Sequence, residues 1–292
     1  MIKINYSENI SQLYYDDLSK RIYQNEDNKT LEQVYDEKFR TEFNCSLHEL
    51  LCGSFEMLKE ISSRIGTMKE RDDVKSIFNY AQKYQSNIIS TFFENHIEVH
   101  TCYFCNIEFI NKFTTKDNKI KNGFTLDHYI DKGTYPYLAL SLYNLIPSCY
   151  TCNSKIKGID EINNLSPSSA NFAFDEKVKF KTFMRNKNLQ IEKESDFTLL
   201  LKEDFSLDYE EYIKGFMLNE RYEYHKYKVI EMINKRKEYP NSRIKELALL
   251  TKKTEEEVKQ DLFGEYLFEE DDLQKRPLSK LIKDISAELG LR

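Results

Sequence analysis

The chain has 292 residues, 40% of them hydrophobic and 32% charged, with eight glycines and five prolines and a net charge of −6. That balance excludes disordered and collagen-like classes and leaves room for a sizeable core. The acidic sum excludes a protein that coats nucleic acid nonspecifically, so any nucleic-acid contact must use a local basic patch or a partner.

The N-terminus MIKINYSENISQLYY has no apolar stretch of signal-peptide kind, and no run of 18 apolar residues suggests a membrane span, so a cytoplasmic protein is expected. The first hundred residues are predicted helical. Leu47, Leu50, Leu51, Phe55, Leu58, Ile61 and Ile65 fall on one helical face, and Val74, Ile77, Phe78, Ala81, Tyr84, Ile88 and Phe92 form a second stripe. Cys45 and Cys52 read as unpaired buried thiols. The pattern changes near Val99. Phe124 to Ile130 and Asn144 to Pro147 are predicted strands, and Thr151 to Lys157 the first turns of a helix that ends at Gly158. Ile162 to Asp175 reads as a polar, turn-rich connector. Leu218, Tyr222, His225, Val229, Ile233 and Arg236 then share a helical stripe that Pro240 stops, with His225 as a satisfied core histidine. Thr254 and Glu257 form a capping box. Glu269 to Asp272 reads as a solvated acidic loop. Pro277 precedes a last amphipathic helix with Leu278, Leu281, Ile282, Ile285 and Leu289, stopped by Gly290.

Cys102-x-x-Cys105 and Cys149-x-x-Cys152 stand either side of a long insert. In a reducing compartment two such pairs point to metal before disulfides. Four thiolates complete the shell of a tetrahedral zinc, which makes that ion structural rather than catalytic. Its expected job is to clamp the start of the segment to the end of its second strand.

Between and beside these cysteines stand Asp127-His128, Asn144-Leu145, Asn153, Lys155 and Lys157-Gly158. With Cys149-Tyr150-Thr151-Cys152, this run resembles the HNH endonucleases of the ββα-metal superfamily. The stretch YPYLALSLYNLIPSC is closest to HNH nucleases of bacterial anti-phage systems of the Septu and retron-associated kinds. The resemblance covers about 60 residues, a fifth of the chain, and departs from the name at its third position, which is Asn153 rather than His.

The helical stripes and the resemblance together give an expected fold that is mainly α with a small α+β insertion: a zinc-braced ββα module at 99–160, which the resemblance implies, flanked by helical regions at 1–98 and 161–292. The resemblance also implies metal-dependent hydrolysis of phosphodiester bonds, leaving a 5′-phosphate and a 3′-hydroxyl. His128 would be the general base, since imidazole titrates near neutral pH. Asp127 and Asn153 would give oxygen ligands to Mg²⁺ or Mn²⁺, and Asn144 would pin the loop that carries His128. Neighbours in a strand point to opposite faces, so the backbone is expected to bend at Asp127-His128 if both serve the site. Lys155 and Lys157 are the candidates for phosphate contact, and Lys112, Lys116, Lys119 and Lys121 a possible backbone patch or a solvated hairpin. DNA is the favoured substrate over RNA. The acidic helical flanks are expected to bind a partner, self-associate or pack around the module, as would suit a regulated anti-phage effector.

Two other classes fit parts of the sequence. A zinc-dependent nucleobase deaminase would use His96-Ile97-Glu98 with Cys149 and Cys152, but Ser148 separates Pro147 from Cys149, and Cys102 and Cys105 would have no job. A non-catalytic zinc module would bind nucleic acid or protein without needing Asp127, His128 or Asn153.

Overall fold

The computed structural model describes residues 1–22, 28–158, 162, 165–185, 190–264 and 273–291. The predicted acidic loop at Glu269 to Asp272, and the 160/161 boundary, lie outside them. The chain is mainly helical and its strands form two-stranded antiparallel sheets. It divides into two compact units, one of Lys3–Tyr103 with Ile110–Phe172, the other of Met1–Ile2, Phe104–Phe109 and Ala173–Arg292. No helix among the described residues is long and apolar enough to cross a membrane.

In the first unit the N-terminal helices are set by their caps. Thr30 with Gln33 and Ser46 with Glu49 form reciprocal capping boxes at the starts of Leu31–Lys38 and Leu47–Cys52. The stripe predicted from Leu47 to Ile65 is two helices, Leu47–Cys52 and Phe55–Ile65, because Gly53 is extended and a Cβ there would strike the Glu49 carbonyl oxygen. Its apolar residues still share one core: Leu50, Leu51, Phe55, Leu58 and Ile61 are buried. The second stripe is broken at Phe78, after Asp72–Ile77. Asn79 then caps a helix with wide π-type turns, Tyr80–Ile89, which runs on into Ser90–His96. Ala81 falls on the exposed side.

Two hairpins follow in this unit. Strands β1 (Lys112–Thr114) and β2 (Ile120–Asn122) form a short one, held to the preceding helix by Lys112 Nζ on the Glu94 carbonyl and Asn122 Nδ2 on that of Ser90. Strands β3 (Thr125–His128) and β4 (Leu145–Ser148) form the second, in the register Thr125–Ser148 to His128–Leu145. The helix Thr151–Lys157 comes next, its last turn widened so that Gly158 N–H donates to the Asn153 carbonyl five residues back. Gly158 ends it at φ 57°, a conformation suited to glycine.

The polar connector read at Ile162 to Asp175 contributes buried serines to this unit. Ser166, Ser168 and Ser169 are buried. Ser168 Oγ donates to the Tyr143 carbonyl, and Ser169 Oγ and Ala170 N donate to Glu56 Oε1 at 2.6 and 2.8 Å. Small hydroxyls that read as turn chemistry here satisfy buried backbone and a carboxylate.

The second unit is not all helix, as the sequence reading had it. Strands β5 (Val178–Met184) and β6 (Phe197–Glu203) pair along seven residues. Val178 and Phe180 share the core with Phe197, Leu199 and Leu201, and the lysines between them face outward, the alternation of a half-buried strand. Both free edges are covered by side chains. Phe180 N donates to Asp284 Oδ2 at 2.8 Å, Thr182 N to Glu288, and Leu201 N to Asn219 Oδ1 at 2.8 Å, which removes the open edge that invites further strands. The predicted Leu218 stripe is two helices, Leu218–Glu223 and Lys226–Glu238. His225 lies between them, half-buried rather than core, with an Nδ1 that has no hydrogen-bond partner. The Thr254–Glu257 capping box and the terminal helix Ser279–Glu288 form as predicted.

Candidate functional site

The two cysteine pairs meet. Cys102, Cys105, Cys149 and Cys152 are all buried, with their Sγ atoms within 4.8 Å of one another. Four thiolates around one zinc would stand roughly 3.8 Å apart, so the cluster could hold such an ion. Local geometry follows the same logic. Asn106 turns the chain at φ 53°, letting Ile107 N–H donate to Cys105 Sγ at 3.4 Å, and Cys152 N–H donates to Cys149 Sγ at 3.4 Å. Such bonds favour thiolate over thiol. Among the described residues no other group of three or more Cys, His, Asp or Glu is placed to share a metal. His96 packs on Phe92 instead, and Glu98 pairs with His100 at 2.9 Å, so the elements of a deaminase site do not assemble.

Asp127 and His128 end β3, and the ladder runs regularly through both, so the expected bend is not present. Their side chains have different neighbours. Asp127, 2% exposed, meets the Lys157 ammonium at 3.3 Å from Oδ1 and 3.2 Å from Oδ2. Only the first contact has hydrogen-bond geometry; Oδ2 accepts none. Burial raises the Asp127 pKa to about 6, with Lys157 pulling the other way.

His128, 8% exposed, is held from several sides. Its Nε2 lies 2.9 Å from the Ala139 carbonyl. A carbonyl can only accept, so Nε2 carries the proton and Nδ1 the lone pair. The Lys132 ammonium stands 3.4 Å from Nδ1, and the Tyr80 ring packs edge-on with centroids 4.4 Å apart. Burial first, then Lys132, lowers the His128 pKa to about 3.

Asn144 is fully buried and anchors the loop that follows β3. Its Oδ1 accepts from Ile130 N at 2.7 Å, and its Nδ2 donates to the carbonyls of Ile130 and Leu138 at 3.0 and 3.1 Å. Tyr129 N donates to the Asn144 carbonyl. With its amide committed to backbone, Asn144 is a positioning residue and not one that touches a reacting atom.

Asn153, half-buried on the helix Thr151–Lys157, donates Nδ2 to Thr125 Oγ1 at 2.9 Å. Thr125 spends its own hydrogen on the Ser148 carbonyl, which fixes that amide with Oδ1 turned away. One turn later, Lys157 departs from its predicted role. Its ammonium is wholly buried between the Asp127 carboxylate, the His128 carbonyl and the Tyr129 ring, so it is not placed for phosphate contact. Lys155 is exposed, near the Tyr150 ring.

Sequence reasoning missed Tyr80, Lys132 and Ala139, the groups that surround His128. Lys132 alone carried a local signal, four residues beyond His128; the other two are brought in by tertiary packing. No family model, curated protein or solved structure matches the chain.

Proposed function

We propose that this protein is an HNH-type, metal-dependent endonuclease that hydrolyses phosphodiester bonds, with DNA favoured over RNA. The observation that carries the reading is the state of His128: a neutral imidazole locked in one tautomer, its lone pair on Nδ1, at the end of the strand that also carries the buried Asp127. An oriented imidazole whose unprotonated nitrogen meets an ammonium that can be drawn away is able to act as a general base, although burial and Lys132 hold it below the near-neutral range expected from the sequence. His128 Nδ1 takes a proton from water as the water oxygen bonds to phosphorus. The P–O3′ bond breaks, and the departing oxygen collects a proton from solvent. Asn144 keeps the post-β3 loop, and with it the Ala139 carbonyl that orients the ring, in place.

The residues fit a divalent cation in donor type. Asp127 Oδ2 is buried without a hydrogen bond, and Asn153 Oδ1 is turned away from Thr125. Both are hard oxygens of the kind Mg²⁺ or Mn²⁺ takes. When bound, such an ion would neutralise charge on the phosphate and the departing oxygen. The zinc proposed for the four cysteines would hold the helix that carries Asn153.

A second reading has its own observation. The buried Asp127–Lys157 pair can be a structural ion pair, as in a zinc module that binds nucleic acid or protein without cutting it. The test is a cleavage assay on plasmid, single-stranded DNA and total RNA, with Mg²⁺, Mn²⁺ or EDTA, beside His128→Ala. Metal-dependent cutting by the wild type alone supports the nuclease. Equal cutting by the variant, or none by either protein on any substrate, favours the binding module. The anti-phage role implied by the sequence resemblance is a further proposal, tested by plaque counts on cells expressing wild type or His128→Ala.

A further inference from the structure

Lys155 and Lys157 were the expected phosphate contacts; Lys155 is exposed, but the Lys157 ammonium is buried against Asp127. A different lysine stands at the base. Lys132 is exposed on the loop anchored by Asn144. Its Nζ lies 3.4 Å from His128 Nδ1 and 5.4 Å from the centre of the Tyr80 ring. Beside it opens a depression of about 210 Å³ lined by Lys75, Asn79, Tyr80, Lys132 and Ala139. Lys75 is paired with Asp72 at 3.3 Å, the Asn79 carboxamide is spent on Gln82, and the Ala139 carbonyl is taken by His128, while Phe78, Ala81 and Pro136 form the apolar part of the wall. The lining contains no carboxylate. Lys132 is thus the group of this depression that an oxyanion beside the imidazole would meet.

We infer that Lys132 is the phosphate-binding residue of this site and that its ammonium covers the His128 lone pair until a phosphodiester oxygen draws it away; this rests on the nuclease reading. A neutral ring nitrogen is a weak partner for an ammonium, and a phosphate oxyanion in the adjoining depression is a stronger one. Arrival of the phosphate and uncovering of the base are therefore one movement of one side chain. Water does not meet an exposed base in the free protein, and charge is supplied where the phosphate sits.

The experiment uses the full chain as wild type, Lys132→Met and Lys132→Arg. Met keeps the apolar stem, and Arg restores the charge. Binding of a short fluorescein-labelled oligonucleotide, single-stranded and duplex, is followed by anisotropy in EDTA over a salt series, where nothing is cut. Lys132→Met is expected to reduce the slope of log affinity against log salt by about one phosphate contact. Cleavage with Mg²⁺ should fall in kcat by roughly 10²–10³-fold, the cost of removing one charge-stabilising donor. Lys132→Arg should recover both. In free protein, diethyl pyrocarbonate should modify His128 faster in Lys132→Met than in wild type, read by peptide mass mapping.

Wild-type slope, cutting and modification rate in Lys132→Met overturn the inference, even if the wild type proves a nuclease. So does a wild-type protein that does not bind the oligonucleotide. If the wild type binds but never cuts, and Lys132→Met still loses slope and exposes His128, the phosphate contact of Lys132 and its cover over His128 stand while the nuclease reading falls.

Discussion

Each compact unit buries a lysine ammonium against carboxylate, and the two centres are finished differently. In the second unit Lys280 meets Asp284 at 2.7 and 3.0 Å and Asp175 at 3.1 Å. Asp284 uses both oxygens, one on Lys280 and one on the Phe180 N–H, and so ties the terminal helix to the edge of β5. Burial pushes the Asp175 carboxyl up, yet Lys280 and Lys283 hold it below the ordinary range. In the first unit Asp127 has one lysine at longer range and an Oδ2 without a hydrogen bond. Burial raises the carboxyls of both Asp127 and Asp284, and Asp175 Oδ1 likewise accepts no hydrogen bond, so the difference lies in Asp284, whose two oxygens are both used. A buried charge is tolerated when its hydrogen-bonding capacity is spent. Asp284 is completed as a brace; Asp127 keeps capacity in reserve, next to His128.

The largest expected effect concerns the cysteines on which the Asn153 helix depends. Purified protein should carry one zinc per chain by atomic emission. Stripping it, or Cys149→Ser, should abolish the cooperative melt of the site-bearing region, because structural zinc binding is worth about 10–16 kcal/mol in small modules. A metal-free protein with an unchanged melt would remove the brace from the argument.

The comparison itself is broken or kept by two aspartate variants. Asp284→Ala should cost about 3–5 kcal/mol in urea unfolding, since it strands Lys280, while cleavage per folded molecule stays the same. Asp127→Asn also takes the carboxylate from a buried lysine, Lys157, but cleavage per folded molecule should fall as well, by roughly 10²-fold or more. If both variants lose only stability, the centres are alike and Asp127 is a brace too.

Asn144→Ala comes next. It leaves the Ile130 N–H and two carbonyls without their partner, at about 1–3 kcal/mol for a stranded buried group. Cleavage should fall with stability while Mg²⁺ dependence is unchanged, and a loss of cleavage at wild-type stability would argue for direct contact with substrate.

The smallest effect is one of pH. The His128 pKa is lowered from 6.5 to about 3, so its share of stability is complete above 6.5 and drains as pH falls toward 3. Asp127 is raised from 3.8 to about 6, so its share is complete below 3.8 and drains as pH rises through 6. Between 3.8 and 6 the two oppose, at up to about 1.4 kcal/mol per pH unit each. Wild type should show little net trend from them there. Asp127→Asn should weaken on acidification relative to wild type, and His128→Gln should strengthen. The same slope in all three proteins would mean that neither group is held as described.

The candidate site was legible to the extent that its chemistry is written in local order. The cysteine pairs, the strand ending in Asp127-His128, and the helix from Thr151 to Gly158 are short-range patterns with fixed spacing, and their positions were readable to within a residue or two. The role suggested for Asn144 came from the resemblance; in the ladder it is Leu145 that pairs with His128, and Asn144 lies one residue beyond. The β5–β6 hairpin carried a signal that the sequence reading passed over: Val178-Lys179-Phe180-Lys181 alternates apolar with polar, and Val, Phe and Thr favour strands. Gly53 and Phe78 interrupted stripes that periodicity alone would have continued.

What the sequence determined by itself is the set of chemically able groups and the elements that carry them: thiols in pairs, a carboxylate and an imidazole at a strand end, an amide on a helix. Tertiary structure decided which of those groups are spent. It buried Lys157 on Asp127, gave Asn144 wholly to backbone, and placed Tyr80, Ala139 and Lys132 around His128. Spacing along a chain fixes which residues are neighbours in an element, whereas burial and hydrogen-bond completion depend on what the rest of the fold packs against them.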